Sequence, residues 1–226
     1  MTKSPRCASV GAVMRTLRIA CWLVLALVGP VVGAVLIHLA PSTASAAAGE
    51  ESGDPDSGSD LIGRPAPEWA FTRWVRGPRM KLADLRGKVV LVRWWTDGCR
   101  YCRSTLPALE DLKRREGRSD FVVLGVYHPK PRPREVSDRR ILEVAGELGF
   151  SGPVAFDRDW RTLGRYWLDG HDERSWTSVS FLIDREGIIR WVHGGGEYHP
   201  GDDPAHQRCA DEFAGLETTL ESLLGP

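Results

Sequence analysis

The most constraining feature of this sequence is a short apolar run that leads into a closely spaced pair of cysteines. Val89–Trp95 is rich in β-branched and aromatic residues, which is typical of a buried strand. Residues 96–98 then supply a turn and a helix cap, and helical spacing begins at Cys99 and continues to a stop at Gly117. The pattern therefore predicts a strand, a tight turn and a helix, with the first cysteine at the helix N-terminus.

Strands and helices alternate through the rest of the chain. Further strands are predicted at Phe121–Tyr127, Val154–Phe156, 179–183 and 188–192, and helices at 137–148, 160–167 and 205–224. The last two strands are predicted to form a hairpin that turns at 184–187. This order indicates an α/β sandwich with a central mixed sheet flanked by helices.

The chemistry of the chain concentrates at Cys99-Arg100-Tyr101-Cys102. A thiol at a helix N-terminus meets unpaired N–H groups and the positive end of the helix dipole, which favour its thiolate. The thiolate is the nucleophile of disulfide exchange, so Cys99 is the predicted attacking thiol and Cys102, one turn deeper, the resolving one. We expect Arg100 to lower the pKa of the Cys99 thiol further.

A set of motifs, in this order along the chain, resembles the TlpA/ResA-type thiol-disulfide oxidoreductases of the thioredoxin superfamily. The resemblance covers about residues 61–224. It is carried by Gly63-Arg64-Pro65-Ala66-Pro67, Leu85-Arg86-Gly87-Lys88-Val89-Val90-Leu91-Val92, Trp94-Trp95, Cys99-Arg100-Tyr101-Cys102, Leu106-Pro107 and Phe181-Leu182-Ile183-Asp184-Arg185-Glu186-Gly187.

This resemblance implies a thioredoxin-like three-layer sandwich and thiol exchange with proteins outside the cytoplasm, in the direction of a reductase. It again gives Cys99 the attacking role and Cys102 the resolving role. No cofactor and no resident metal are expected. The implied partners are extracytoplasmic proteins with disulfides or thiols and a redox partner that donates electrons.

Four residues depart from the family pattern. Gly98 replaces a tryptophan before the first cysteine, and Thr105 replaces an acid found in many family reductases. Ser178 stands where the family has a cis-proline, and because a cis bond before a non-proline costs about 2.5–4 kcal/mol, we expect Thr177-Ser178 to be trans. Arg93 replaces a buried acid; if it points inward, it should stabilise the Cys99 thiolate and make the disulfide more oxidising.

The remaining candidate residues form the rim of the predicted site. Tyr101 lies between the cysteines, and Thr177 precedes the serine in the cis-proline position. Most tryptophans are expected to pack in the core, whereas Trp95 and Trp176 are predicted to lie near the dithiol. A Pro-rich stretch at 128–134 is interpreted as a solvated loop.

The N-terminus differs in composition from the rest of the chain. Residues 1–18 are basic, residues 19–40 carry no formal charge and suffice for a helix of roughly 33 Å, and residues 41–60 resemble a flexible linker. The prediction is a single-pass signal anchor that exports the domain at 61–226, or a signal peptide cleaved near Ala46–Ala48. With 30 Lys+Arg against 30 Asp+Glu, the chain is not expected to bind nucleic acid.

Two alternatives remain open from the sequence. A metal-binding or metal-delivery module could use Cys99 and Cys102 with His206 and Cys209, as Cys3His coordination of zinc. A thiol peroxidase is suggested by the T-x-x-C pattern ending at Cys99, although Val92 stands where that class has a proline.

Overall fold

A computed structural model describes residues 57–225. The strands are β1 (Arg73–Arg76), β2 (Val89–Trp95), β3 (Phe121–Tyr127), β4 (Val154–Phe156), β5 (Ser180–Ile183) and β6 (Ile189–His193). The helices are α1 (Cys102–Glu116), α2 (Asp138–Glu147), α3 (Arg161–Leu163), which continues as a π-helical turn (Gly164–Leu168), and α4 (Gln207–Leu224). Short 3-10 turns lie at Ser59–Leu61, Leu82–Leu85 and Pro204–His206.

The predictions for residues 1–18 and 19–40, and most of those for 41–60, lie outside the described residues. Among residues 57–225, every helix is too short or too polar to cross a lipid bilayer.

The six strands form one mixed sheet in the order β1-β4-β3-β2-β5-β6. Strand β2 lies inside it and is buried along its whole length, as its apolar composition predicts. It runs parallel to β3 and antiparallel to β5, with Arg93 opposite Ser180. Because β2 and β3 are parallel, their carboxyl ends meet at one edge of the sheet, and the cysteines follow β2 at that edge.

Alternate residues of β2 face two separate cores. Val89, Leu91 and Trp95 pack in the core that includes residues of α1, α2 and α4. Val90, Val92 and Trp94 pack in a second core, with residues of α3 and the π-helical turn. Helices thus cover both faces of the sheet, and the predicted three-layer α/β sandwich is confirmed.

The bounds of the predicted elements lie within two residues of the observed ones, except at two places. The strand Val154–Phe156 is confirmed residue for residue, and Ser137 caps α2 by accepting a hydrogen bond from the Arg140 N–H. Strand β1 was not predicted; its residues are all only partly buried, and it pairs with β4 alone. Helix α1 begins at Cys102, not at Cys99, because a turn with Gly98 at φ +71° precedes it.

Candidate active site

The two cysteines lie at the junction of β2 and α1 and are joined by a disulfide. Their Cα atoms are 5.4 Å apart, within the usual range for a disulfide. Cys99 is half-buried in the turn, whereas Cys102, the first residue of α1, is fully buried. The backbone N–H of Cys102 lies 3.2 Å from the Cys99 Sγ and donates to it. An incoming group can therefore reach Cys99 but not Cys102.

Ser178 lies against both sulfur atoms. Its Oγ is 3.5 Å from the Sγ of Cys99 and 3.7 Å from the Sγ of Cys102. The cis peptide bonds within residues 57–225 are Lys130–Pro131 and Arg132–Pro133, so the Thr177–Ser178 bond is trans, as predicted. A hydroxyl group thus occupies the position where the family pattern has a proline ring.

Thr177 is held by His128, which the sequence analysis placed in a solvated loop; that interpretation is wrong for this residue, because its side chain is fully buried. The Nε2 of His128 is 2.9 Å from the Thr177 Oγ1. His128 is fully buried, and this burial, together with the charge of Lys130, lowers its pKa to about 3, so the ring is neutral. It comes directly after β3, at the same edge of the sheet as the cysteines, which is the one sequence signal that could have pointed to it.

Two clefts flank the Gly98–Cys99 turn. The first has a volume of about 250 Å³ and is lined by Thr96, Asp97, Gly98, Cys99, Arg100, Tyr101, Lys130, Ser175, Trp176, Thr177 and Ser178. The second, of about 230 Å³, is lined by Thr96, Gly98, Cys99, Arg103, Arg140, Val144, Glu147 and Leu148. A Cβ at Gly98 would meet no atom within 4 Å, so the face beside Cys99 is open, as the missing tryptophan predicts.

Aromatic and basic side chains form the rim of the first cleft. The rings of Tyr101 and Trp176 meet edge to face, with centroids 5.6 Å apart. The Arg100 guanidinium lies 4.5 Å from the centroid of the Tyr101 ring and also donates to the Tyr101 hydroxyl. Lys130, placed by the sequence in a solvated loop, lines this cleft as well.

Trp95 differs from Trp176 in its placement. It is fully buried, packs edge to face on Tyr127 with centroids 5.0 Å apart, and belongs to the same core as Cys102. It is not among the residues that line either cleft. Trp95 therefore packs in the core that contains Cys102, and it is not part of the rim of either cleft.

Arg93 points inward and is fully buried. Its Nη2 donates to the Gly196 carbonyl oxygen at 2.9 Å, and its Nη1 to the Ser180 Oγ at 3.4 Å. Its guanidinium lies 5.4 Å from the centroid of the Tyr198 ring, and its Nε has no hydrogen-bond partner. Burial lowers the pKa of Arg93. A guanidinium nevertheless stays protonated in proteins, so a positive charge lies inside this core.

The histidine and cysteine side chains are not arranged as the predicted Cys3His zinc site requires. Ligand atoms of His199, His206 and Cys209 lie within 4.8 Å of one another. Within residues 57–225, this is the one group of three or more such donors, and it includes neither cysteine of the disulfide. The Cys3His arrangement with Cys99 and Cys102 is therefore not assembled.

Comparison with known proteins agrees with this geometry. The model of the AhpC/TSA family matches residues 62–192. Protein DipZ of Mycobacterium bovis is 29% identical over 151 residues, which are 65% of this chain but 21% of DipZ. The thiol-disulfide oxidoreductase ResA of Bacillus thuringiensis is 27% identical over 130 residues, which are 57% of this chain and 66% of ResA.

Solved structures show the same fold. The crystal structure of a thiol-disulfide isomerase from Corynebacterium glutamicum has a TM-score of 0.53 and 26% identity, and the match covers 71% of this chain and 97% of that one. The matched segment spans about a fifth of DipZ and about two thirds of ResA. The chain belongs to the AhpC/TSA family of thioredoxin-like proteins, and its predicted resemblance to TlpA/ResA-type thiol-disulfide oxidoreductases is confirmed.

Proposed function

We propose that this protein is a thiol-disulfide oxidoreductase that exchanges its Cys99–Cys102 pair with partner proteins outside the cytoplasm. The observation that carries the proposal is the asymmetry of the disulfide. Cys99 is half-buried between two clefts, whereas Cys102 is fully buried behind it. Exchange through a mixed disulfide needs a sulfur that a partner can reach, and a buried second sulfur directs the attack to that one.

The chemistry follows from this asymmetry. When the pair is reduced, the Cys99 thiolate attacks a partner disulfide, forms a mixed disulfide and releases one partner thiolate. Cys102 then loses its proton and attacks the Cys99 Sγ, which restores the disulfide and releases the second partner thiolate. Two electrons pass to the partner, and the partner thiolates take up protons from solvent or from Cys102. Each step is reversible.

The surrounding residues have distinct roles in this proposal. The Cys102 N–H and the Ser178 hydroxyl lie close enough to the Cys99 sulfur to stabilise its thiolate by hydrogen bonds. His128 fixes the Thr177 side chain, and thereby the segment that leads to Ser178. Trp176 contributes an aromatic wall against which a partner chain can lie.

The cellular setting is part of the proposal. Residues 19–40 would anchor the chain in the membrane, with 1–18 in the cytoplasm and 41–60 as a tether, unless cleavage near Ala46–Ala48 releases the domain at 61–226. A dithiol in an oxidising compartment becomes oxidised unless electrons are supplied. A reductase would therefore need an electron-donating partner, whereas an oxidant would need an electron acceptor that restores its disulfide.

Trapping in the host tests the function. The full-length Cys102→Ser variant should accumulate mixed disulfides with exported proteins, because the second attack is lost. Cys99→Ser, made in the same background, should trap none, because the reachable sulfur is absent. Equal amounts of adduct on both variants would contradict the assigned roles. Peroxide consumption by Cys102→Ser, with no trapped protein, would favour the peroxidase alternative.

A further inference from the structure

We infer that the buried Arg93 guanidinium makes Cys99–Cys102 an oxidising couple, so that this protein takes electrons from partner dithiols. The inference deepens the proposed function and rests on it, since it gives the direction in which the same pair works. It reverses the reductase direction that the family resemblance implies.

Within residues 57–225, no acid pairs with the Arg93 guanidinium. Its two hydrogen bonds go to a backbone carbonyl and to the Ser180 hydroxyl, both of which are uncharged. Its Nε–H is buried and has no partner. A buried charge is costly unless it is paired, so this guanidinium favours any negative charge that forms near it.

Two short chains of contacts connect Arg93 to the dithiol and to the start of α1. Arg93 is on the same face of β2 as Trp95, which shares a core with Cys102. Its partner Ser180 is two residues beyond Ser178, which is about 7 Å along an extended chain. Ser178 in turn touches both sulfur atoms. The guanidinium also lies 5.4 Å from the centroid of the Tyr198 ring, and the Tyr198 N–H donates at 3.2 Å to the Oγ1 of Thr105 in the first turn of α1.

The acids around the site are bonded to groups other than Arg93. Glu212, whose charge helps to raise the pKa of Tyr198, pairs with His193 and Arg208. Asp97 accepts hydrogen bonds from Tyr127 and Arg134, and Glu197 accepts one from Ser104, whereas neither contacts the Arg93 guanidinium. His128 is neutral because its pKa is about 3. Burial raises the pKa of Tyr198, so the ring beside Arg93 is neutral as well. Arg100 adds a further positive charge at the rim.

These contacts favour one direction of exchange. A partner thiolate attacks the Cys99 Sγ, the Cys99–Cys102 bond breaks, and Cys102 leaves as a buried thiolate opposite the positive charge. The partner's second thiolate attacks its own sulfur in the mixed disulfide, and Cys99 leaves as a thiolate. The partner loses two electrons and gains a disulfide. One of its two protons goes to Cys102 and the other to solvent. Stabilising the thiolates of the reduced pair makes the disulfide a stronger oxidant.

The test is the equilibrium between the full-length protein and a glutathione buffer, with the state of the pair read by alkylation. Arg93→Met removes the charge at similar volume and should shift the equilibrium at least tenfold toward the protein disulfide. Arg93→Lys keeps the charge and should stay within about threefold of the wild type. Arg64→Met, at an exposed position outside the site, should change nothing. A folded Arg93→Met variant within twofold of the wild type would overturn the inference.

A second measurement keeps the inference testable if Arg93→Met does not fold. In the reduced wild-type protein, the ultraviolet absorbance of the thiolate should titrate with a Cys99 pKa at least one unit below the ordinary value of about 8.5. An ordinary pKa would overturn the inference. A wild-type pair that does not equilibrate with glutathione at all would instead contradict the proposed function.

Discussion

Ser178 determines what a partner sulfur meets beside Cys99. Its hydroxyl lies within 3.7 Å of both sulfurs, where the family pattern has a ring without a donor. A hydroxyl can donate a hydrogen bond to a thiolate, which is a charge-assisted and therefore stronger bond than a neutral one. We therefore regard Ser178 as a residue that tunes the nucleophile as well as one that shapes the cleft.

Replacing Ser178 with alanine should raise the pKa of the Cys99 thiol by about one unit, because a hydrogen bond to a charged group contributes about 1.5–3 kcal/mol and part of it is recovered by water. The measurement is the pH dependence of the alkylation rate of reduced Cys99. Ser119→Ala, at an exposed position elsewhere, is the matched control. An unchanged titration in Ser178→Ala would remove Ser178 from the nucleophile's environment.

His128 predicts how stability depends on pH. Its folded pKa of about 3 is below the ordinary value of 6.5, so between these values the unfolded chain binds a proton that the folded protein does not. The contribution of the neutral His128 ring to the free energy of unfolding is fully present above about pH 6.5 and is lost as the pH falls toward 3. Between about pH 7 and pH 5 the loss should be about 2 kcal/mol.

Denaturant unfolding at a series of pH values measures this pH dependence. His128→Gln is the comparison, because glutamine can still form a hydrogen bond with Thr177 and does not titrate. The free energy of unfolding of the wild type should fall more steeply with decreasing pH than that of the variant. Parallel profiles would show that His128 is protonated in the folded protein or that it is exposed.

At the scale of elements, the loop between β6 and α4 contacts two residues of the site, Arg93 and Trp176. The Gly196 carbonyl holds Arg93, and Gly195, at φ +119°, packs directly on Trp176. A Cβ at Gly195 would lie 2.3 Å from the Trp176 Cβ. The loop therefore couples the buried charge to the aromatic wall of the cleft.

Gly195→Ala should destabilise the protein by at least about 2 kcal/mol, from the positive φ and the clash with Trp176. Gly201→Ala, in the same loop, has ordinary φ and no atom closer than 3.9 Å to the added Cβ, so it should change the free energy of unfolding by no more than about 0.5 kcal/mol. Thermal unfolding of both variants is the measurement. Equal effects at the two positions would contradict the packing described for Gly195.

The elements that form the site were largely predictable from the sequence. Apolar periodicity located β2 and α1, and the family resemblance located Ser178 opposite the cysteines. Strand β1 was missed because partly buried positions carry no clear alternation. His128 was missed for a different reason: its position directly after β3 can be seen in the sequence, but its contact with Thr177 depends on how the strands pair. The inward direction of Arg93 likewise required the packed structure.

At the scale of the whole molecule, charge is balanced overall but not locally. The chain carries 30 basic and 30 acidic residues, yet Arg100, Arg103 and Lys130 line the two clefts and, within residues 57–225, form no ion pair. The acids in those clefts, Asp97 and Glu147, each pair with an arginine. The surface around Cys99 is therefore positive at short range.

Exchange should accordingly be faster with a peptide disulfide flanked by glutamates than with the same peptide flanked by lysines, by about tenfold at low salt. The ratio should approach one as ionic strength rises. The double variant Arg100→Gln/Lys130→Gln should reduce the ratio, whereas Arg64→Gln should keep it. A ratio that is independent of salt would show that charge does not select the partner.

The most direct test of the central claim is a single-turnover reaction of the reduced full-length protein with a peptide disulfide, followed by intact mass. The wild type should form its own Cys99–Cys102 disulfide and release one equivalent of reduced peptide. Cys102→Ser should stop at one covalent peptide adduct on Cys99, and Cys99→Ser should remain unmodified. An adduct that forms on Cys102 in Cys99→Ser at the wild-type rate would contradict the account.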